Sequence, residues 1–387
     1  MRLRHPDGQT IHLSYCTNVH AAEDLDGIMT QLDEYAVPIR KRLDSDVLGL
    51  GLWLAAPVAT ALAADAAARH RLRDALDARG LEVVTLNGFP YQAFHAPVVK
   101  RAVYRPDWTS PARLEYTLDL ARVLADLLPS DAARGSVSTL PLAWREPWDD
   151  GRADACRHAL DRLAAGLGAL QERTGRTVRV GFEPEPGCIV ETSAQAAALL
   201  SGVDTERLGI CLDLAHLACA WEKPADALGT LRGSGLPIVK TQVSAALASD
   251  DPHADAEVLG RYVEPRFLHQ TRSASGLSTD DLDEALALAG GDNRPWRVHY
   301  HVPVHAPPVA PLRSTVDVLD EALGELLGGP VAGCDHLDVE TYTWGVLPSE
   351  LRPDGSGQLA AGIAAELAFT HARLTGLGLT ELPELIL

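Results

Sequence analysis

Short runs of apolar or β-branched residues alternate along the chain with longer segments in which apolar residues recur at helical spacing. This alternation is typical of parallel strand–helix units, because a helix covers each buried strand. The runs that we predict as strands are residues 11–18, 47–55, 81–87, 135–142, 178–183, 208–213, 238–244 and 336–341. Eight such units predict an α/β protein with a (β/α)8 TIM-barrel fold.

Helix boundaries agree with this prediction. Ser110 and Pro111 are typical of a helix start, as N-cap and first-turn proline, and Gly80 is typical of a helix end. The main alternative is an open, doubly wound sheet. No Gly-rich nucleotide-binding turn follows the first predicted strand, which disfavours that alternative.

One interval between strands is much longer than the others. Gln242 and Glu340 are about three times as far apart in sequence as the corresponding residues of earlier neighbouring strands. We therefore predict a single barrel domain over residues 1–387, with an insertion at about 245–335 between strands seven and eight. The insertion contains a predicted helix from about residue 279 and an extended run that includes "WRVHYHVPVH".

Composition narrows the classes of partner. A formal net charge of −19 disfavours nucleic acid, because binding to phosphate backbones depends on Lys and Arg. No apolar run approaches the roughly 20 residues that span a membrane, and the polar N-terminus lacks the pattern of a signal peptide, so we expect a cytoplasmic protein. Six cysteines without a C-x-x-C pair predict neither a zinc knuckle nor a disulfide framework. The sequence leaves open whether the protein forms a homo-oligomer.

Polar residues stand at the ends of four predicted strands: Glu183, Asp213, Gln242 and Glu340. Because the carboxyl ends of barrel strands meet at one mouth, three carboxylates are expected to face each other there. Such carboxylates raise one another's pKa and destabilise the fold unless a cation neutralises them. A divalent metal is therefore predicted. For Asp213, a helix N-cap or an ion pair is the alternative.

Histidines extend this predicted metal site. His216 follows Asp213 by three residues, and His299 and His301 lie on the same side of the extended run. Carboxylate oxygens with one or two imidazoles suit Mn, Co, Mg or Zn, and the sequence does not choose among them.

Further residues near the strand ends are candidates to bind a substrate. Asn18 and His20 follow the first strand, and His95 follows the third. Glu185 either binds a backbone amide in its Pro-flanked turn or faces the same mouth as Glu183. Trp344 is a candidate to cover the apolar face of a sugar ring, with a core position as the alternative.

The order of these motifs resembles the xylose isomerase-like TIM-barrel superfamily, which includes sugar isomerases, ketose epimerases and endonuclease IV. The elements that carry the resemblance are Glu on strand five, Asp-x-x-His on strand six, a polar ligand on strand seven and Glu on strand eight. The motifs "SYCTNVH", "NGFPYQAFH", "FEPEPGC", "LDLAH" and "VETYTWGVLP" look like those of the EboE proteins, described as metabolite traffic proteins of ebo gene clusters.

The resemblance implies a set of metal ligands, with His216 beside them and Gln242 where the superfamily commonly has His. An amide oxygen is a weaker ligand than imidazole, so His299 or His301 is a candidate to compensate. "HYH" resembles the Asp-x-His element of the endonuclease IV type, which leaves a second metal open. The implied metal ligands are Glu183, Asp213, Gln242, His301 and Glu340.

The resemblance also implies a reaction on a polyhydroxylated small molecule, such as a sugar or cyclitol or its phosphate. Glu183 and Glu340 would move a proton through an enediolate in isomerisation or epimerisation, and His216 would orient ligands. Two alternatives stay open: a phosphoesterase of the endonuclease IV type that acts on a small molecule, and a non-catalytic binding or traffic protein for a pathway intermediate.

Overall fold

The computed structural model describes residues 1–288 and 294–382, and eight parallel strands close into a barrel within them. Each strand pairs with the next in chain order, and the eighth pairs with the first. The predicted (β/α)8 fold is therefore confirmed. The strands are β1 (Thr10–Cys16), β2 (Leu48–Trp53), β3 (Leu81–Asn87), β4 (Gly135–Thr139), β5 (Val178–Phe182), β6 (Leu208–Asp213), β7 (Ile238–Val243) and β8 (His336–Val339).

Helices cover the outside of the barrel, and their apolar faces pack on the strands. Ser110 accepts a hydrogen bond from the backbone of Ala112, as expected of an N-cap. The segment that ends at Gly80 forms two helices instead of one, because the carboxylate of Asp65 caps a new helix. The helices are Leu25–Gln31, Leu32–Ala36, Val37–Arg42, Ala56–Ala64, Ala66–Asp77, Pro111–Leu127, Asp150–Thr174, Ser193–Leu199, Leu214–Cys219, Pro224–Gly233, Ala256–Leu259, Leu282–Leu288, Val316–Leu327 and Ser356–Gly376, with 3₁₀ turns at Thr17–Val19, Lys100–Tyr104, Gly260–Tyr262 and Tyr342–Val346.

The insertion between β7 and β8 forms a second, antiparallel sheet. Its central strand, Trp296–His301, runs over the predicted extended segment and pairs with strands on both sides. The helix expected from about residue 279 begins at Leu282. The sheet contains the strands Ala246–Ser249, Thr271–Ser273, Ser278–Thr279, Trp296–His301 and Arg313–Ser314. Two short strands, Arg2–Arg4 and Thr380–Glu381, extend the barrel sheet beside β1.

The middle of the barrel contains an ion pair. Lys240 Nζ lies 2.8 Å from Asp338 Oδ2, and both side chains are fully buried. Ser14 donates a hydrogen bond to the other oxygen of Asp338 at 2.7 Å. Gly51 faces this carboxylate so closely that a Cβ atom would collide with it. The pair therefore fills the barrel below the strand ends and leaves no room for a side chain at Gly51.

All six cysteines are buried and free. In the part of the chain that the structure describes, no helix combines the length and the apolar character needed to cross a membrane.

Candidate metal centre

Four of the predicted ligands lie at the carboxyl ends of neighbouring barrel strands. Asp213 ends β6 and is in register with Gln242 on β7, whereas Glu183 and Glu340 directly follow β5 and β8. All four side chains are buried. The insertion supplies a fifth group, because the strand Trp296–His301 ends at the barrel mouth and brings a buried imidazole there.

Asp213, His301 and Glu340 form one compact group, in which ligand atoms lie within 4.8 Å of one another. His301 Nε2 lies 3.9 Å from Asp213 Oδ2. His301 Nδ1 lies 3.0 Å from the backbone oxygen of Glu340 and must donate to it, since a carbonyl only accepts. The lone pair of Nε2 therefore points into the site, which is the arrangement typical of a metal-binding histidine.

The main evidence that this site binds a ligand is a set of buried polar atoms without hydrogen bonds. Among the described residues, Glu183 Oε2, Asp213 Oδ2, His301 Nε2 and both amide atoms of Gln242 lack a partner. Buried polar atoms are nearly always paired, so several unpaired ones at one strand-end layer indicate a ligand that binds them all. Carboxylate, imidazole and amide donors fit a divalent metal such as Mn, Co, Mg or Zn.

Hydrogen bonds from two side-chain amides hold the predicted ligand Glu340. Its Oε1 accepts hydrogen bonds from Asn18 Nδ2 at 2.8 Å and Asn87 Nδ2 at 2.9 Å. Asn87 ends β3, so the strand-end rule that singled out the carboxylates could also have found it. These bonds fix the direction of the carboxylate, and its second oxygen remains available to a ligand.

Asp213 combines the two roles that the sequence left open. Its Oδ1 accepts hydrogen bonds from the backbone N of His216 and from Ser244, at 2.9 and 2.8 Å, so the residue caps the helix Leu214–Cys219. Its Oδ2 stays unpaired. The cap therefore orients the carboxylate toward the other candidate ligands.

A second group of candidate ligands adjoins the first. Glu183, Glu185 and His216 lie within 4.8 Å of one another, as do His216, His299 and His301. Within the described residues, no backbone amide donates to the Glu185 carboxylate, the alternative considered for it. Its Oε1 instead accepts a hydrogen bond from the hydroxyl of Tyr104 at 2.8 Å.

His216 and His299 face each other in an arrangement that requires a cation or a shared proton. His216 Nδ1 donates to the backbone oxygen of Pro184, and His299 Nδ1 donates to Gln270 Oε1. The orientation of the Gln270 amide is fixed, because its nitrogen donates to the carbonyl of Pro186. Both Nε2 atoms therefore present lone pairs, and they are 2.8 Å apart. A second metal ion would remove this repulsion.

Three predicted substrate contacts lie outside the central cavity. His20 follows a 3₁₀ turn that carries it away from the mouth. Its ring stacks on Tyr35 and hydrogen-bonds with the Tyr15 hydroxyl. His95 bonds the backbone oxygen of Asn18 at 2.7 Å and so supports a cavity residue from behind. Trp344 also lies on a 3₁₀ turn, and its Nε1 donates to Glu366 beside a separate cleft. None of these three residues lines the cavity above the candidate metal ligands, and their contact with a substrate stays a prediction.

The cavity above the candidate ligands is small, at about 50 Å³. Glu183, Glu185, His216, His299 and Glu340 contribute to its floor and walls. Three neighbouring aromatic rings, which we call the aromatic cap, also line it: Phe94, Phe267 and Tyr342 have centroids 4.9 to 5.5 Å apart. This volume suits an ion with a few water molecules, so a sugar-sized ligand requires displacement of the cap. Sequence reasoning missed Tyr104, Gln270 and the cap residues, because loop positions carry no periodic signal.

Burial and like charge shift the pKa values of the carboxyl groups. Desolvation, followed by the charge of Glu340 and Asp213, raises the pKa of Glu183 well above its ordinary range. Desolvation and the charge of Asp213 raise the pKa of Glu340 to about 8. Burial lowers the pKa of His216 to about 4, so that histidine is neutral at pH 7. Without a cation, Glu340 therefore favours its protonated form near pH 7, whereas His216 carries no positive charge.

These shifts predict how the metal-free protein responds to pH. A carboxyl group whose pKa is raised in the folded state stabilises the fold fully below pH 4.5 and loses that contribution as the pH rises to about 8. We expect the free energy of unfolding to fall by about 1.4 kcal/mol per pH unit for each such group. Denaturant unfolding of chelator-treated protein across this range measures the slope, and saturating Mn²⁺ should remove it. An equal slope in Glu340→Gln would contradict the assignment of this effect to Glu340.

Comparison with known proteins establishes the family. The family described as "Xylose isomerase-like TIM barrel" matches residues 46–266, more than half of the chain. The chain belongs to this family. The predicted superfamily is thereby confirmed, whereas the comparisons do not support the EboE group, which stays a prediction. No curated protein sequence matches the chain significantly.

Several solved structures share the fold of this chain. An L-ribulose 3-epimerase superposes with a TM-score of 0.52 at 13% identity, over 95% of this chain and 96% of that one. A D-allulose 3-epimerase from Methylomonas sp., in complex with D-allulose, gives 0.53 at 14% identity, over 96% and 100%. The IOLI protein, with a bound zinc atom, gives 0.51 at 12%, over 95% and 99%. At such low identities, these matches establish the common fold alone.

Proposed function

We propose that this protein binds a divalent metal at the barrel mouth and catalyses the isomerisation or epimerisation of a hydroxy-carbonyl compound, such as a sugar, a cyclitol or a phosphate of either. The ligands would be Glu183, Asp213, Gln242, His301 and Glu340. The observation that carries the proposal is that four of these side chains have buried atoms without partners. The fold shared with L-ribulose and D-allulose 3-epimerases supports the reaction class.

Two glutamates have the properties that proton transfer requires. Glu183 and Glu340 follow strands that are not neighbours in the barrel, and both line the cavity. A bound metal would supply polarisation of the substrate carbonyl, which acidifies the adjacent C–H. One glutamate would then take the proton as carboxylate, and the other would return a proton as carboxylic acid. Asn18 and Asn87 would hold Glu340 in position for either role.

His216 and Glu185 would orient the reacting groups. His216 is anchored through Nδ1 to Pro184, and its Nε2 lies 3.6 Å from Glu185 Oε2. Tyr104 holds the second oxygen of Glu185. Both side chains line the cavity, so each is available to a substrate hydroxyl once the aromatic cap has moved.

A phosphoesterase is the second candidate function. The two opposed Nε2 atoms of His216 and His299, 2.8 Å apart, favour a second cation, and paired metals activate water for hydrolysis. A third candidate is a binding or traffic protein for an intermediate of an ebo-type pathway. The cavity of about 50 Å³ and the amide ligand Gln242 support that alternative, and the pathway itself rests on motif resemblance alone.

Exchange with solvent deuterium distinguishes these candidates. Metal-loaded protein is incubated in D₂O with a panel of ketoses, cyclitol ketones and their phosphates, and the C–H beside the carbonyl is followed by NMR. An isomerase or epimerase should exchange this hydrogen with at least one compound. Phosphate release without exchange would favour the esterase, and saturable binding without either would favour the traffic protein. Both outcomes would refute the proposed reaction.

A further inference from the structure

A second cavity lies at the opposite, N-terminal end of the barrel and has a volume of about 260 Å³. It is formed where several strands begin. Arg134 directly precedes β4, Arg179 is the second residue of β5, and Asp335 directly precedes β8. Catalytic groups of this fold lie at the other end, so this cavity is separate from the candidate metal centre.

The lining of this cavity is cationic in a strongly acidic protein. Three arginines, Arg134, Arg179 and Arg232, face one carboxylate, Asp335, whereas the whole chain carries a formal charge of −19. Leu236, Ile238 and Leu326 complete the wall with apolar surface. We call this the arginine cavity.

Two of the three arginines have partners. Arg134 binds Asp335 with two nitrogens, at 2.8 and 2.7 Å. Arg232 donates to the backbone oxygen of Glu325 at 3.0 Å. The single carboxylate of the cavity is therefore already neutralised by one guanidinium.

Arg179 has no such partner. Within residues 1–288 and 294–382, no hydrogen bond or ion pair to its guanidinium is found, and its Nε is buried. Burial and the nearby charge of Arg134 lower its pKa, and the charge of Asp335, which acts in the opposite direction, offsets them only in part. A partly buried cation without a partner destabilises a fold, so its presence beside an open cavity requires an explanation.

We propose that the arginine cavity binds the phosphate group of a small molecule. A guanidinium presents donors in a fixed fork that matches the oxygens of phosphate, and Arg179 has that fork free. Arg232 lies at the exposed rim and retains donors for the same group. The apolar wall would contact the rest of the molecule. This site does not depend on the reaction proposed for the metal centre.

Titration calorimetry with inorganic phosphate and with phenyl phosphate tests this proposal, at constant ionic strength set with chloride. We expect wild type to bind both, and phenyl phosphate more tightly because of the apolar wall. Arg179→Gln should weaken binding of both probes by at least about tenfold. Arg71→Gln is the matched control: it removes the same charge from a side chain that is 67% exposed, and it should leave binding unchanged.

The unfolding temperature measured without phosphate tests whether Arg179 lacks a partner in the free protein. Since Arg179 lacks a partner, Arg179→Gln should unfold at the same temperature as wild type or higher, while phosphate should raise the unfolding temperature of wild type only. Arg232→Gln, at the exposed rim, provides a second variant that should weaken binding without affecting the fold. Absence of phosphate binding by wild type, equal binding by Arg179→Gln, or failure of that variant to fold would each overturn the proposal. Stronger binding of inorganic phosphate than of phenyl phosphate would identify a site for the free ion and overturn the role of the apolar wall.

Discussion

Wild type is expected to purify with about one divalent metal ion per chain, and Asp213→Ala without it. Asp213 contributes an unpaired carboxylate oxygen directed toward His301 Nε2, 3.9 Å away. Loss of groups that merely support metal ligands weakens affinity 10- to 100-fold, so loss of a ligand should exceed about 100-fold. Elemental analysis after incubation with Mn²⁺, Co²⁺, Mg²⁺ or Zn²⁺, followed by desalting, measures the content of each metal.

Glu185→Gln is the matched control for this measurement. It also removes a buried carboxylate from the same cavity, but Tyr104 already occupies one oxygen of Glu185, and neither of its oxygens is among the buried atoms without a partner. We expect this variant to keep the principal metal and to change ligand affinity instead. Equal loss of metal in both variants would show that the roles of these carboxylates are divided wrongly. Metal retention by Asp213→Ala would remove the basis of the proposed centre.

Helix capping complicates the alanine variant, because Asp213 also caps Leu214–Cys219. Asp213→Asn separates the two roles, since an asparagine oxygen still accepts from the backbone of His216. We expect Asp213→Asn to retain the unfolding temperature of metal-free wild type and to lose most of the metal. A decrease in stability without loss of metal would assign Asp213 a structural role only.

Glu183→Gln and Glu340→Gln should each reduce turnover by about 10² to 10⁴-fold, which is the contribution of a positioned general acid or base. Glutamine has nearly the shape of glutamate, and at residue 340 its oxygen can still accept from Asn18 and Asn87. The fold should therefore persist. The rate of solvent deuterium exchange into a substrate identified by the screen, normalised to the bound metal, measures the effect.

Normalisation to the metal is essential, because both glutamates are also predicted ligands. A variant that binds the ion at high metal concentration and still fails to exchange deuterium supports proton transfer by that residue. Glu206→Gln, which alters a side chain that is 86% exposed, should exchange at the wild-type rate. Near wild-type turnover by both buried variants would refute the acid and base assignment.

The aromatic cap adds a steric requirement for this chemistry. Phe94, Phe267 and Tyr342 leave about 50 Å³ above the candidate ligands, less than a sugar occupies. Phe267 belongs to the insertion, whereas Phe94 follows β3. Opening of the cap therefore involves contacts between the barrel and the segment inserted after β7.

The sequence by itself determined the barrel and the polar residues that meet at its strand ends. Strands and helices alternate at regular intervals, and the polar residues that end β5 to β8 must meet at one mouth because parallel strands share a direction. The same rule located Asn18 at this mouth. These conclusions needed only local periodicity and the order of elements along the chain.

The sequence proposed further polar residues for the site, and the tertiary structure decided which of them join it. His299 and His301 enter it because the inserted sheet returns over the mouth, whereas 3₁₀ turns divert His20 and Trp344 from it. Gln270 fixes the His299 tautomer from a distant loop. Such contacts depend on how the chain folds back on itself, and spacing along the sequence carries no information about that.

The arginine cavity, at the other end of the barrel, also could not be predicted from spacing along the sequence. Arg134 precedes β4, Arg179 is the second residue of β5, and Arg232 lies in the last turn of the helix Pro224–Gly233, so no common motif in the sequence links them. Closure of the barrel brings the starts of β4, β5, β7 and β8 around one cavity. Strand order and packing, which are long-range properties, therefore decided that one of these charges would be left without a partner.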